Sequence, residues 1–356
     1  MKDNGLLVQY FNANTPADQT LWAKAAKDAV TLKKIGATAV WFPPATKGAA
    51  GKEDMGYAPY DLYDLGEFNQ KGSVGTRYGT KKEYLEAIDA MKVQGINVYA
   101  DIAVRQKLGA DSVEKVTAAD FNAKDIPQMI GNKKIVGALS KFTFAGRRSK
   151  YSKFKWNWNH FAGIDWQQDD FKKRVCELSG MTEEEAEKKY KLSKYDYIIG
   201  SELDLYNQEV YDELMTWAKW YEDVTGVDGF RFQEAEKVPG WFIRDFAEAA
   251  SNAGEEEKEI FTVGDFWHWR CDYINDYIAS ADNQPSMFDV PLHFSFHDAS
   301  VAEGEYDLSR LLDGSMMMSN PAKAVTFVEN HESQPGGFLE SAVSEWFNPL
   351  AYPIIL

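Results

Sequence analysis

Short apolar runs alternate with amphipathic stretches along most of the chain. LLVQYF at 6–11, TAVWFPP at 38–44 and GINVYADIAV at 95–104 read as strands. The stretches at 21–35 and 81–94 between them space their apolar residues as helices do. After a long interruption the alternation resumes. A helix at 209–224 precedes a strand at GVDGFRF (226–232), and a helix at 241–253 precedes a strand at EIFTVGDF (259–266). A helix at 268–279 follows, then strands at SMFDVPL (286–292) and AVTFVEN (324–330). Mostly uncharged strands alternating with helices predict an α/β protein with a parallel sheet covered by helices. Seven such strands exceed one doubly wound half and point to a (β/α)8 barrel of the TIM type. Strand eight has no candidate before the chain reaches WFNPLAYPIIL. An open barrel would leave strands one and seven unpaired, and such edges invite homo- or hetero-association.

Residues 105–205 break the alternation. They hold the aromatic and polar run FTFAGRRSKYSKFKWNWNHFAGIDWQQDDF and then MTEEEAEKKYKLSK at 181–194. An interval of this length reads as an inserted subdomain after strand three. The expected organisation is barrel (1–104), insertion (105–205) and barrel again (206–356). The EEEAEKK run reads as a solvated helix face.

Composition narrows the partners. A net charge of −16 speaks against nucleic acid and anionic membranes, both of which want a basic surface. The two cysteines, Cys176 and Cys271, have no zinc-type spacing. No apolar run is long enough to span a bilayer, and no leader-like pattern opens the chain, so a soluble cytoplasmic protein is expected. An aromatic content of 14% supplies core bulk and, at a mouth, flat surfaces for stacking.

In a parallel barrel, chemistry gathers at the C-terminal ends of the strands. There the sequence offers Asp101, Arg105 and Gln106, then Asp228, Arg231, Gln233, Glu234, Glu236 and Lys237. Further on come Asp265, Asp289, Glu329, His331 and Glu332. Several carboxylates converging on one mouth suit glycoside hydrolysis, which pairs an acid with a nucleophile or base.

Whole segments support a sharper reading. VQYFNANTP, TAVWFPPATKG, GYAPYDLYDLGEFNQKGSVGTRYGTKKEYLEAI, YSKFKWNWNHF, VDGFRF, FTVGDFW, SMFDVPLHFSFHDAS and AVTFVENHESQPG resemble the α-amylase family of glycoside hydrolases, most closely its bacterial liquefying type. The resemblance implies a barrel with a domain B inserted after strand three and a β-sandwich domain C, absent here, after strand eight. It implies α-1,4-glucans as ligands: starch, glycogen and maltooligosaccharides.

The family works with an Asp nucleophile, a Glu acid/base and a second Asp, and this chain departs at each. The acid/base position falls on Asp265 and the second Asp on Glu332. The nucleophile position falls on Gln233 or, with a one-residue shift, on Glu234, which would need a bulge to face the mouth. Tyr57, Gln106, Arg231, Lys237, Trp267 and His331 fall on or near sugar-contacting positions. The family's structural calcium would rest on Asp196, Glu202 and Asp204. Arg105 and Ala162 stand where two of its ligands are expected, so Arg105 should pair with Glu202 or Asp204. Changes of one methylene around a site that tolerates about 1 Å imply glucan binding with hydrolysis impaired or lost. The alternatives are a working retaining hydrolase on Glu234, Asp265 and Glu332, and an interaction subunit using the open edge.

Overall fold

The structure is a computed structural model. It describes residues 5–122, 128–166, 173–177, 200–254, 258–302, 304–337 and 339–356. Seven parallel strands form one curled sheet: β1 (Leu7–Gln9), β2 (Ala39–Phe42), β3 (Asn97–Ile102), β4 (Gly229–Phe232), β5 (Phe261–Gly264), β6 (Ser286–Phe288) and β7 (Ala324–Val325). Each pairs with its neighbour in sequence order, the signature of a β/α barrel wall. Among the described residues β1 pairs only with β2 and β7 only with β6, so the barrel is open by one strand. A cavity of about 2050 Å³ fills the gap, lined by Leu7, Val8, Phe261, Val325, Phe327 and Leu356 among others.

Helices cover the outside. α1 (Leu21–Lys34) turns Trp22, Ala25, Ala29 and Leu32 inward, one face at helical spacing. α2 (Lys81–Val93) begins at a capping box in which Thr80 and Glu83 satisfy each other's backbone N–H groups. α3 (Gln208–Thr225) buries Val210, Leu214, Trp217 and Tyr221, and Gly226 ends it in the left-handed region at φ 64°. α4 (Gly240–Ser251), α5 (Cys271–Ser280) and α6 (Val290–Val301) follow β4, β5 and β6, and α7 (Asn348–Ile355) ends the chain. No described helix is long and apolar enough to cross a membrane.

A second sheet lies between β3 and α3 in the chain. Its six strands all pair antiparallel, in the order Gln106–Lys107, Ser201–Leu203, Phe161–Trp166, Lys173–Glu177, Ser112–Asn122, Gln128–Lys141. The helical stretch expected at 181–194 falls outside the described residues.

Two expected strands end early. SMFDVPL leaves the sheet at Phe288, because Asp289 caps α6 and Pro291 sits in its first turn, where a missing N–H costs nothing. AVTFVEN pairs only at Ala324 and Val325. The chain then turns through Asn330, whose Oδ1 accepts the N–H groups of Glu332 and Ser333 at 2.9 and 3.0 Å. His331 and Glu332 thus hang from a side-chain-locked turn and not from a strand.

Candidate functional site

The site starts from a cross-strand pair. Arg231 on β4 lies in register with Asp101 on β3, and both side chains are fully buried. Nη1 of Arg231 donates to both Asp101 oxygens at 3.0 Å. Its Nη2 donates to Asp265 Oδ2 at 2.7 Å and to Glu332 Oε1 at 3.0 Å. Since both oxygens touch one nitrogen, they lie no farther apart than the sum of those two lengths. A buried guanidinium suits this role, because its fork can meet several carboxylates at once.

A second layer locks the first. Trp41 Nε1 and the Tyr57 hydroxyl donate to Asp101 Oδ2 at 3.0 and 2.6 Å. The Tyr57 hydroxyl also meets His331 Nε2 at 3.0 Å, and the two rings stack 5.5 Å apart, 6° from parallel. Trp267 Nε1 donates to Asp265 Oδ2 at 3.2 Å, and the Glu234 N–H to Asp265 Oδ1 at 2.8 Å. Both oxygens of Asp265 are therefore occupied, and its side chain is wholly buried.

Beyond Phe232 the chain leaves β4 through a left-handed turn at Glu234 (φ 48°, ψ 52°). That conformation is strained for a residue with a Cβ. Asp265 holds it, since its carbonyl accepts the Ala235 N–H at 2.9 Å while its side chain takes that of Glu234. A left-handed turn, in place of the expected bulge, follows β4. It swings Glu234 out of the strand alternation and between two cations: Arg105 Nη1 meets Oε2 at 3.1 Å, and Lys237 Nζ contacts Oε1. Arg105 was expected to pair with Glu202 or Asp204; the ion pair seen runs across to Glu234, the nearby anion that the left-handed turn presents. Gln233 follows the end of β4, partly buried.

Charge follows burial here. Burial raises the Asp101 carboxyl to about 6, with Arg231 pulling the other way. Burial also raises Asp265, opposed by Arg231. It raises Glu332 as well, and the neighbouring Asp265 adds to this. His331 is held well below its ordinary value by burial and then by Arg231, so its ring is neutral at physiological pH. Glu236, beside this group, is raised by burial to about 8, and its Oε2 is buried without a partner.

The structure brings Arg231, Asp265, Glu332, Tyr57, His331 and Trp267 together, with Glu234 and Lys237 as a linked flank. Gln106 is buried, and its Nε2 donates to the Tyr57 carbonyl at 3.1 Å, which braces the loop. Three rim carboxylates belong elsewhere. Asp228 precedes β4, at the opposite end, where it accepts from the Val98 N–H at 2.9 Å and pairs with Lys258. Asp289 caps α6, and Glu329 accepts from the Val343 N–H at 2.8 Å.

For calcium, Asp196 falls outside the described residues. Glu202 and Asp204 flank Leu203, whose N–H binds the Arg105 carbonyl, and Asp204 Oδ1 accepts from the Tyr206 N–H at 3.2 Å. Ala162 is buried. Among the described residues, no three acidic, imidazole or thiol groups gather where they could hold a metal.

From sequence, Asp101 is placed at the rim without its pairing to Arg231, and Trp41, which donates to it, is not singled out. A carboxylate inside the apolar run VYADI, with an Arg in another predicted strand, was the available signal for the buried pair.

No family model matches the chain. It is 42% identical over 355 residues to an α-amylase of Geobacillus stearothermophilus, covering 99% of this chain and 64% of that protein. It is 40% identical over 353 residues to an α-amylase of Bacillus licheniformis, covering 99% and 68%. The cytoplasmic α-amylase of Escherichia coli (strain K12) is 36% identical over 362 residues, covering 99% and 72%. The chain thus spans about two thirds of the length of these relatives. Among solved structures, an Anoxybacillus α-amylase superposes with a TM-score of 0.56 at 16% identity, over 98% of this chain and 64% of that one. A Geobacillus thermoleovorans α-amylase complexed with acarbose gives 0.51 at 16%, over 83% and 53%. At such identities the solved structures speak for the fold alone.

Proposed function

This chain belongs to the α-amylase family of glycoside hydrolases, and from that premise we propose that it recognises α-1,4-glucans at the barrel mouth while hydrolysing them poorly or not at all. The observation that carries the reading is the state of Asp265. A general acid must present a proton to the leaving oxygen. Asp265 is fully buried, and both its oxygens are held by Arg231, Trp267 and the Glu234 N–H. It is also one methylene shorter than the Glu that the family uses there. Gln233 offers a carboxamide, which cannot serve as the nucleophile. Glu234 is clamped by Arg105 and Lys237, and a clamped carboxylate is a poorer nucleophile. What remains suited to sugar is the partly exposed face of Tyr57, with Trp267 and His331 beside it.

The second reading, a working retaining hydrolase, draws on the same left-handed turn. By turning Glu234 out of the strand alternation, it supplies a carboxylate next to the expected nucleophile position. One assay separates the two. A blocked chromogenic maltoheptaoside and soluble starch are offered to the purified chain, with a starch-containing native gel run alongside. We expect retardation in the gel, and turnover at least about 10³-fold below that of a working relative. Brisk turnover abolished by Glu234→Gln and by Asp265→Asn would establish the hydrolase. Calcium or a chelator should change neither readout, because the Arg105 guanidinium supplies positive charge where the family keeps a calcium ligand. A cytoplasmic location is proposed with this reading, on the likeness to the Escherichia coli relative.

A further inference from the structure

Past β5 the sequence runs Trp267-His268-Trp269-Arg270 into α5. Trp267 faces inward to Asp265, while Trp269 is 70% exposed and Tyr273, in the first turn of α5, 45% exposed. Single exposed aromatics need no explanation, but these are organised. His268 stacks on Trp269 at 5.9 Å and 15°, and lies 4.5 Å from Tyr273 at a tilt of 31°, so the imidazole joins the two exposed rings. The array is fastened from behind. The Arg270 N–H donates to His268 Nδ1 at 3.0 Å, which fixes the imidazole. The Arg270 guanidinium lies 4.9 Å from the Tyr273 ring and 5.9 Å from that of Trp269, and Asp272 holds it through Nε at 2.9 Å.

A flat, rigid apolar face bordered by an Arg–Asp pair matches one chemistry well. The C–H face of a pyranose ring stacks on an indole, and its hydroxyls find donors and acceptors at the edge. The strong negative charge of the whole chain disfavours a nucleic acid base on the same platform. Two residues of extended chain reach at most about 7 Å, so Trp269 stands beside the mouth that Trp267 borders.

We propose that Trp269, backed by His268 and Tyr273, is a second carbohydrate platform that stacks one glucose unit of a longer α-glucan outside the mouth built on Arg231. This rests on the glucan reading above. The test is calorimetric titration of the full chain with maltotriose and with maltoheptaose, comparing wild type, Trp269→Ala and Trp269→Phe. Trp269→Ala is expected to weaken maltoheptaose binding about tenfold, the loss of one covered ring face, and to leave maltotriose binding nearly unchanged. Trp269→Phe should keep most of the affinity. Equal maltoheptaose affinity in wild type and Trp269→Ala would overturn the platform while leaving the glucan reading intact. Equal losses on both sugars would place Trp269 within the mouth and overturn a second platform. Wild type that binds neither sugar would overturn both proposals.

Discussion

Arg231 is a cation without exposed surface, and three carboxylates from three different segments end on it. Such a centre is stable only as a set, because removing the cation leaves buried anions with no compensation. Arg231→Met is therefore expected to lower the unfolding free energy by about 3–5 kcal/mol, measured by urea titration. The pH dependence has a definite sign. Asp101 titrates at about 6 in the folded protein, above the ordinary carboxyl range, and burial raises Asp265 and Glu332 in the same direction. Groups raised in this way favour folding while protonated, and that contribution is lost as pH rises through their folded values. Without Arg231 to hold them charged, the three rise further. The deficit of the variant should thus be larger at pH 8 than at pH 5, and a pH-independent deficit would refute the account. At this scale the sequence was partly legible. Arg231, Asp265, Glu332, His331 and Tyr57 could be assigned to one mouth from their motifs. Which carboxylates face the guanidinium and which are spent on backbone could not, since that depends on where each strand stops.

Asp289 shows that dependence among the elements. Within the apolar run SMFDVPL it looks like a rim acid, yet it ends β6 and starts α6. Its Oδ1 accepts the N–H groups of Leu292 and Met316 at 3.2 and 3.0 Å, and its Oδ2 that of Met317 at 2.7 Å. One buried carboxylate thereby joins the cap of α6 to the short helix Met316–Ser319. Asp289→Ala should cost about 2–4 kcal/mol, more than an ordinary cap, because three donors, two of them buried, are orphaned. Thermal unfolding would measure it, and a loss below about 1 kcal/mol would show the donors re-satisfied by water. The order and type of the elements were readable from apolar periodicity, and Pro291 was an available sign that the run turns helical. The end of β7 was harder. Thr326 to Val328 continue the strand-like pattern, but only tertiary pairing decides how far a strand runs.

At the level of the whole molecule, parallel strand order and its helical cover followed from the alternation of patterns. The left-handed turn at Glu234 did not, because nothing local demands it and Asp265, just past the end of the next strand, imposes it. Among the described residues the wall is a ribbon whose middle members, β3 and β4, have a partner on either side, whereas its first and last have one each. Amide hydrogen exchange should report the difference, with Leu7–Gln9 and Ala324–Val325 exchanging well ahead of Tyr99–Ile102 and Gly229–Phe232. Uniform protection across the ribbon would contradict it. Unzipping from the seventh strand would draw Glu332 and His331 away first and leave Arg231 still gripped by Asp101 and Asp265. On the proposed glucan reading, the mouth would then release its sugar by fraying at the seam, long before the centre of the molecule came apart.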